Sequence, residues 1–247
     1  MLSCANLCKC FDGVVALNRV DLSLDPSHVC ALIGPNGAGK TTLLNALTGF
    51  VRPDSGQCFF RSRDITRAQP YRIAGLGLAR TFQDLRLVRR LSVLENVMMA
   101  FPNQRGESVG RALLGFGLAS ESSLLRCEAL DLLRQVGLQE FASREAGELS
   151  YGQQKLLNLV SSLATRAEAL LFDEPFAGVD LVTGTKVLSL IRQLRADKKT
   201  ILFVEHDIEA VRQVADRVVV MSHGVVIADG EPRDVLERQD ILETYLT

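Results

Sequence analysis

The apolar positions change their spacing along the chain, and each change indicates a different part of the fold. Near the N-terminus they form short runs that predict β-strands, at Leu2–Cys10, Val20–Leu24, Val29–Ile33 and Cys58–Arg61. Turn residues divide these runs at Asp12-Gly13, Asp25-Pro26 and Arg52–Gly56. We therefore predict a strand-rich N-terminal portion.

The middle of the chain has helical spacing instead. Ser92 followed by Glu95 is typical of a capping box, and an apolar helix follows it. A second amphipathic helix is predicted over Leu124–Val136, after a looser stretch, 102–122, that is rich in Gly, Ser and Arg. These elements predict an inserted helical subdomain, to which we assign residues 86–154.

Strands and helices alternate in the last third of the chain. Apolar or β-branched runs predict strands at Ala169–Phe172, Thr200–Val204 and Val218–Met221, and Met221–Val225 is typical of a hairpin turn. Helical patterns lie between them, such as Val187, Leu188, Ile191 and Leu194. This alternation indicates a parallel sheet with flanking helices. We therefore predict a single α/β domain whose core consists of residues 1–85 and 155–247.

Composition and charge argue against several classes of protein. The 247 residues carry 28 Lys and Arg and 29 Asp and Glu, a net charge of −1, which argues against nucleic acid as the main partner. No apolar run approaches the roughly 18 residues that a membrane helix needs. No signal peptide is visible at the N-terminus, so we expect a cytoplasmic protein.

The six cysteines do not suggest a disulfide scaffold in a chain of this length. Cys4, Cys8 and Cys10 lie close together, which is compatible with a metal site. Alternation along a strand explains their spacing better, because no second paired cluster completes a set of ligands. We interpret the others as small core residues: Cys30, Cys58 and Cys127.

One glycine-rich segment fits the pattern G-x-x-x-x-G-K-[ST] of phosphate-binding loops. It consists of Gly34, Pro35, Asn36, Gly37, Ala38, Gly39, Lys40, Thr41 and Thr42. Glycines let successive backbone N–H groups converge on phosphate oxygens, and the following helix points its positive end at the same anion. Lys40 is expected to reach the β- and γ-phosphates, and the Thr41 hydroxyl to bind Mg²⁺. The segment predicts a nucleoside triphosphate and Mg²⁺ as cofactors.

Polar side chains also follow three of the apolar runs. Asp173 and Glu174 come at the carboxyl end of a predicted parallel strand. In open parallel sheets, ligands bind in the crevice at this end of the strands. Asp173 suits the Mg²⁺ shell, and Glu174 suits the polarisation of a water. The alternative is that the pair only caps the turn at Pro175. His206 and Gln83 are weaker signals: the first can donate to a γ-phosphate or be structural, and the second can bind Mg²⁺ or position water.

The segment Leu149–Gln154 precedes another helical pattern. Ser150 is a suitable N-cap, and Gly152 permits the close approach of another backbone. The segment is either a simple helix start or a second phosphate-binding helix N-terminus. One chain does not need two such termini for one nucleotide, so in the second case it would act on a nucleotide held by another copy.

Taken in order, these segments resemble the motifs of the ATP-binding-cassette (ABC) ATPases, and the resemblance covers essentially the whole chain. The matching residues are the phosphate loop, Gln83, Leu149–Gln153, Leu170–Glu174, Gly178–Asp180 and His206. Tyr151 is a mild departure, because the family usually has glycine there. The resemblance implies a P-loop, RecA-like α/β core with an N-terminal antiparallel β portion and an inserted helical subdomain.

The resemblance also implies a mechanism in which two cassettes hold two ATP molecules head to tail. The phosphates and Mg²⁺ are held by one subunit through Lys40, Thr41 and Thr42. The γ-phosphate is covered by the other subunit through Ser150, Gly152 and Gln153. Phe11 occupies the place of an aromatic that stacks on adenine, although it could equally belong to the strand core.

The same resemblance implies the roles of the remaining residues. Glu174 is the general base, and His206 and Gln83 sense the γ-phosphate. Gln83 and Asp173 join the metal ligands, and Asp180 bridges the dimer. Closure of the dimer around ATP drives transport, and hydrolysis reopens it.

Finer features resemble the importers of branched-chain amino acids and the closely similar importers of urea and short amides. These features are 80–87, 149–154, 204–207, the ending Glu243–Leu246 and an insertion from about Pro102 to Arg126. The run Lys155–Leu163 departs from the family, which usually has basic residues there. The implied partners are membrane permease subunits, a second ATPase subunit of the same or a related kind and, indirectly, a substrate-binding protein. These partners imply that the chain lies on the cytoplasmic face of the inner membrane.

Two other classes of nucleotide-binding protein fit the sequence less well. Soluble ABC proteins that act on nucleic acid or ribosomes carry long coiled-coil insertions or two tandem cassettes, and this chain has neither. A GTPase or small-molecule kinase is disfavoured because a guanine-reading N-K-x-D or T-K-x-D is missing. The nearest match, Thr185–Leu188, lacks the acid.

Overall fold

The structure, a computed structural model, describes residues 1–102, 104, 118–238 and 241, and the side chains of 118–122 are not among what it describes. It divides into two compact units. The core unit consists of Met1–Gln83, Glu168–Ala177 and Ile191–Thr247, and the helical unit of Asp84–Ala167 and Gly178–Leu190. The ending Glu243–Leu246 and most of the insertion resembling that of the importers lie outside the described residues. The predicted subdomain boundary at 86–154 stays a prediction.

In the part of the chain that the structure describes, the strands belong to two sheets of the core unit. They are β1 (Leu2–Phe11), β2 (Val14–Leu24), β3 (Val29–Ile33), β4 (Ser55–Phe60), β5 (Arg63–Asp64), β6 (Leu78–Arg80), β7 (Ala169–Asp173), β8 (Thr200–Val204), β9 (Arg217–Ser222) and β10 (Val225–Gly230). One sheet has the order β2-β1-β4-β5 and is antiparallel, which confirms the predicted β portion. The other has the order β10-β9-β3-β8-β7-β6.

The six-stranded sheet is parallel except at one edge, where β10 returns antiparallel to β9 through the predicted hairpin. Every residue of β3, β7 and β8 is buried, as is usual for central parallel strands covered on both faces. Asp173 pairs in register with Val204, so β7 and β8 end side by side. The loops that follow these two strands, with Glu174 and His206, therefore leave the sheet at the same edge.

Helices account for most of the remaining described residues. They are α1 (Lys40–Leu47), α2 (Pro70–Gly75), α3 (Val93–Met98), α4 (Leu118–Gln135), α5 (Tyr151–Ala164), α6 (Leu181–Ala196), α7 (Ile208–Val214) and α8 (Pro232–Leu236), with 3₁₀ turns at Gln139–Phe141 and Ala146–Glu148. In the parts of the chain that the structure describes, none of these helices has the length and apolar character needed to cross a membrane.

Three predicted boundaries are wrong, for physical reasons. Strand β4 begins at Ser55 rather than at Cys58, because serine and glycine are typical of turns and hide the start of the strand. Strand β2 begins at Val14 rather than at Val20, because the short apolar run Val14–Leu17 continues into the strand across Asn18 and Arg19, where the pairing with β1 shifts register. Helix α4 begins at Leu118 rather than at Leu124. Its first turns contain three serines, which have low helix propensity and hide the helical pattern.

The apolar face of α1 anchors the glycine-rich segment to the sheet. Leu43, Leu44 and Leu47 are fully buried and belong to the same cluster as Leu32 of β3 and Met221 of β9. Burial of each leucine stabilises the fold by about 1.5–3 kcal/mol. The N-terminal end of α1 is therefore held firmly at the edge of the sheet.

The six cysteines differ in exposure, and Cys8 is intermediate between the buried and the exposed ones. Cys4, Cys30 and Cys58 are buried, and burial raises the pKa of each thiol to about 12. Cys127 is exposed, so its assignment to the core is wrong. It lies two residues before Ala129, and alternate positions of a helix face different directions; Ala129 and Leu133 form the buried side of α4.

Candidate functional site

The glycine-rich segment connects β3 to α1, which confirms the predicted strand, loop and helix. Gly39 is the residue before α1 and has a left-handed φ of 98°. Lys40 is buried, and its Nζ donates to the carbonyl oxygens of Gly34, at 2.7 Å, and Pro35, at 2.9 Å. Burial lowers the pKa of Lys40, and the charges of Glu174 and Asp173 offset part of that change. The ammonium therefore lies within the field of both carboxylates predicted for the site.

Two glycines of the loop share a left-handed backbone but differ in the space around them. A Cβ at Gly39 would lie 2.3 Å from the backbone oxygen of Ala16, whereas a Cβ at Gly37 would meet nothing within 4 Å. The close approach of β2 to the loop therefore requires glycine at one of these positions, independently of its φ.

Gly39→Ala is expected to destabilise the fold by about 3–5 kcal/mol, because backbone strain of about 1–2 kcal/mol adds to a steric clash. Gly37→Ala has the strain alone and is expected to cost about 1–2 kcal/mol. Urea unfolding of the two variants measures the difference. Equal losses would show that the contact with Ala16 is relieved by a small shift.

Glu174 is the centre of a hydrogen-bonded cluster in the core unit. Gln83 Nε2 donates a hydrogen bond to Glu174 Oε2 at 3.1 Å. His206 Nε2 lies 2.8 Å from Glu174 Oε1 and donates a hydrogen bond to this carboxylate oxygen. Glu174 itself has a left-handed φ of 50°, and its backbone N–H donates to Val204. The structure thus brings together the three residues predicted as base and sensors, which are far apart in the sequence.

Asp173 is buried at the end of β7 and has one oxygen available. Its Oδ2 accepts from Arg80 NH2 at 2.9 Å in a buried ion pair, while Oδ1 is buried and has no hydrogen-bond partner among the described residues. A buried carboxylate oxygen without a partner is costly, and a divalent cation or its water would satisfy it. The arrangement therefore fits the Mg²⁺ role predicted for Asp173, and the same role of Thr41 and Gln83 remains a prediction.

Arg80 was missed by the sequence analysis. Its NH1 donates to Asn45 Oδ1 of α1 at 2.6 Å and its NH2 to Asp173, so one guanidinium connects α1 to β7. The available signal was a basic residue within the apolar run before Gln83, since charged residues are rarely buried without a partner. The partner itself lies on another strand and could not be read from the run.

The segment Leu149–Gln154, predicted to precede a helix, lies in the helical unit. Ser150 is the N-cap of α5, and its capping box with Gln153 is complete, which confirms the predicted helix start. A Cβ on Gly152 would lie 2.8 Å from Thr183 Oγ1, so glycine is needed for this contact. Asp180 accepts from the backbone N–H of Thr183 at 2.8 Å. The phosphate-binding roles of this segment and the bridging role of Asp180 remain predictions.

Phe11 lies at the end of β1 with its ring 43% exposed. This exposure rules out the alternative that it belongs to the strand core. Lys9 Nζ lies 5.1 Å from the ring centroid, a cation–π contact on the surface. The stacking of adenine on this ring remains a prediction.

Comparisons with known proteins show the family to which the chain is similar. The family model described as ABC transporter matches residues 17–177. A probable branched-chain amino acid transport ATP-binding protein, LivG, of Archaeoglobus fulgidus is 37% identical over 246 residues, covering 100% of this chain and 95% of the relative. The high-affinity branched-chain amino acid transport ATP-binding protein LivG of Escherichia coli K12 is 37% identical over 250 residues, covering 100% and 97%.

Two solved structures are similar to this chain over 94% of its length or more. A nucleotide-free ATP-binding cassette from an ABC transporter has a TM-score of 0.86 and 32% identity, covering 100% of this chain and 99% of the other. A dimeric ATP-binding cassette in a post-hydrolysis state, bound to ADP and Pi, has a TM-score of 0.80 and 25% identity, covering 94% and 99%.

The α/β fold, with a glycine-rich loop and two carboxylates at the strand ends, defines a P-loop nucleotide-binding protein. Within this class, the chain belongs to the ABC transporter family and is an ATP-binding cassette of that family. The resemblance deduced from the motifs is confirmed.

Proposed function

We propose that this chain is the ATP-hydrolysing subunit of an importer for branched-chain or other hydrophobic amino acids. The observation that carries the proposal is the Glu174 carboxylate, held between Gln83 and His206 at the carboxyl ends of β7 and β8. The names of the relatives from Archaeoglobus fulgidus and Escherichia coli support the cargo class. They do not favour the alternative importers of urea and amides or a soluble protein acting on nucleic acid.

In this proposal, the chain's own residues bind the nucleotide and move one proton. The backbone N–H groups of 34–42 and the Lys40 ammonium bind the phosphates. Glu174 accepts a proton from the attacking water, and its hydrogen bonds to Gln83 and His206 orient the carboxylate. When bound, Mg²⁺ neutralises charge on the β- and γ-phosphates, and Thr41, Gln83 and Asp173 would hold it.

The proposal includes a second ATPase subunit, identical or related, whose Ser150, Gly152 and Gln153 cover the γ-phosphate. The similarity to a dimeric cassette bound to ADP and Pi supports this arrangement. An isolated monomer should then hydrolyse ATP poorly. The proposal places the subunit at the cytoplasmic face of the inner membrane, on permease subunits that a substrate-binding protein supplies.

Transport of the proposed cargo can be tested in the source organism. Deletion of the gene is expected to abolish high-affinity uptake of radiolabelled leucine, isoleucine and valine. Uptake should return with the wild-type gene and with a control, Glu209→Gln, which changes an exposed carboxylate on α7. It should not return with Glu174→Gln. Loss of urea or amide uptake in place of amino acid uptake would contradict the cargo assignment and leave the ATPase intact.

A further inference from the structure

Glu205 is a buried carboxylate beside the site to which no role has yet been given. It follows β8 directly, precedes His206 and is only 2% exposed. A carboxylate in such a place costs several kcal/mol unless hydrogen bonds to it replace those of water. The groups that donate hydrogen bonds to Glu205 therefore indicate its role.

The two oxygens of Glu205 accept from the backbones of two different loops. Oε1 accepts from the N–H of Phe176 at 2.7 Å, and Phe176 lies two residues after Glu174. Oε2 accepts from the N–H of His206 at 3.1 Å. One side chain thus connects the loop that carries the proposed base with the loop that carries the histidine.

These bonds close a ring of contacts around the site. His206 Nε2 lies 2.8 Å from Glu174 Oε1, so the loop that carries His206 also contacts the loop that carries Glu174. Glu174 needs such support, because its left-handed φ of 50° is costly for a residue with a side chain and persists only where the surroundings fix it. The ring of Phe176 packs edge-on against Phe203 of β8, with centroids 6.5 Å apart, and gives further support from the same side.

We propose that Glu205 is a positioning residue for ATP hydrolysis: its buried carboxylate holds the Glu174 loop and the His206 loop together and so maintains the contact between the two side chains. The inference rests on the proposed function and deepens it. Glu205 acts through the two backbones and does not contact the nucleotide. A carboxylate is required, because two N–H donors need two acceptor oxygens and glutamine supplies only one.

The test compares ATP hydrolysis and ATP binding by Glu205→Gln with those of wild type. It uses the full chain at protein concentrations at which wild type hydrolyses ATP. The NH₂ group of the glutamine cannot accept a hydrogen bond from a backbone N–H, so the hydrogen bond to one of the two loops is lost. We expect kcat to fall about 10- to 100-fold, as displacement of a catalytic group by about 1 Å does. The KM and Kd for ATP should stay within about twofold, because the phosphate loop is untouched.

A double-mutant cycle separates this role from general destabilisation. In a His206→Ala background the contact that Glu205 maintains is already absent, so Glu205→Gln should cost less than about threefold in single-turnover hydrolysis. The matched control is Glu209→Gln, an exposed carboxylate that loses the same charge four residues later, and it should retain wild-type kcat. An equal loss with and without the His206 side chain would overturn the proposal.

Other outcomes are equally decisive. Wild-type kcat in Glu205→Gln removes Glu205 from this role and leaves the proposed function standing, whereas absence of ATP hydrolysis by the wild-type chain with its partner subunits removes both. If Glu205→Gln fails to fold, Glu205→Asp replaces it. The aspartate keeps two acceptor oxygens on a side chain too short to reach both loops, so it should lower kcat with normal ATP binding, and an unchanged kcat would again contradict the proposal.

Discussion

Glu174→Gln is expected to slow ATP hydrolysis by about 10²- to 10⁴-fold, the usual contribution of a general base, while ATP affinity stays within about twofold. Glutamine fills the same space but cannot accept the proton of the attacking water. The neighbouring Lys40 and the backbone of the phosphate loop, which are proposed to bind ATP, are unchanged. ATP-bound dimers should therefore accumulate instead of turning over.

The measurement is single-turnover hydrolysis together with equilibrium ATP binding and size analysis in the presence of ATP. Glu209→Gln serves as the control, because it removes an exposed carboxylate from the same unit and leaves the cluster around Glu174 intact. Unchanged turnover in Glu174→Gln would remove Glu174 from the role of base. A loss of ATP affinity equal to the loss of turnover would place it in binding instead.

The strands closest to the site could be predicted with the correct bounds. Val29–Ile33 and Thr200–Val204 are continuous apolar runs because both faces of these strands are buried, and turn residues or polar tips mark their ends. The full length of β2 could not be predicted, because the polar Asn18 and Arg19 interrupt its apolar positions at a shift in the pairing with β1. Local patterns thus predict an uninterrupted buried strand better than a strand that continues through an irregularity.

The residues proposed to bind phosphate or to position water could also be chosen from the sequence, because their types are dictated by chemistry. Arg80 and Glu205 could not, because each acts through a partner brought near by the order of the strands. Arg80 and Asp173 are 93 residues apart and meet only because β6 lies beside β7. Glu205 meets Phe176 for the same reason at β7 and β8.

Lys40→Met is expected to weaken ATP binding by at least about 10²-fold, since charge-assisted hydrogen bonds to phosphate contribute about 1.5–3 kcal/mol each. In the structure the ammonium is buried and donates to the carbonyls of Gly34 and Pro35, so it is already aimed into the loop. Methionine keeps the volume and apolar stem but provides no donor. The loss should appear in Kd, in contrast to the loss in kcat expected for Glu174→Gln.

Isothermal titration with ATP analogues measures this loss, and Lys198→Met is its control because that lysine is exposed in the turn before β8. Both changes remove one positive charge from the core unit, so a general electrostatic effect would weaken binding in both. Unfolding does not account for the expected result, because replacing a buried charge by an apolar side chain of similar volume is often neutral for stability. If Lys40→Met binds ATP as tightly as Lys198→Met does, the phosphates are held by the backbone N–H groups alone, and the position of Lys40 serves only to brace the loop.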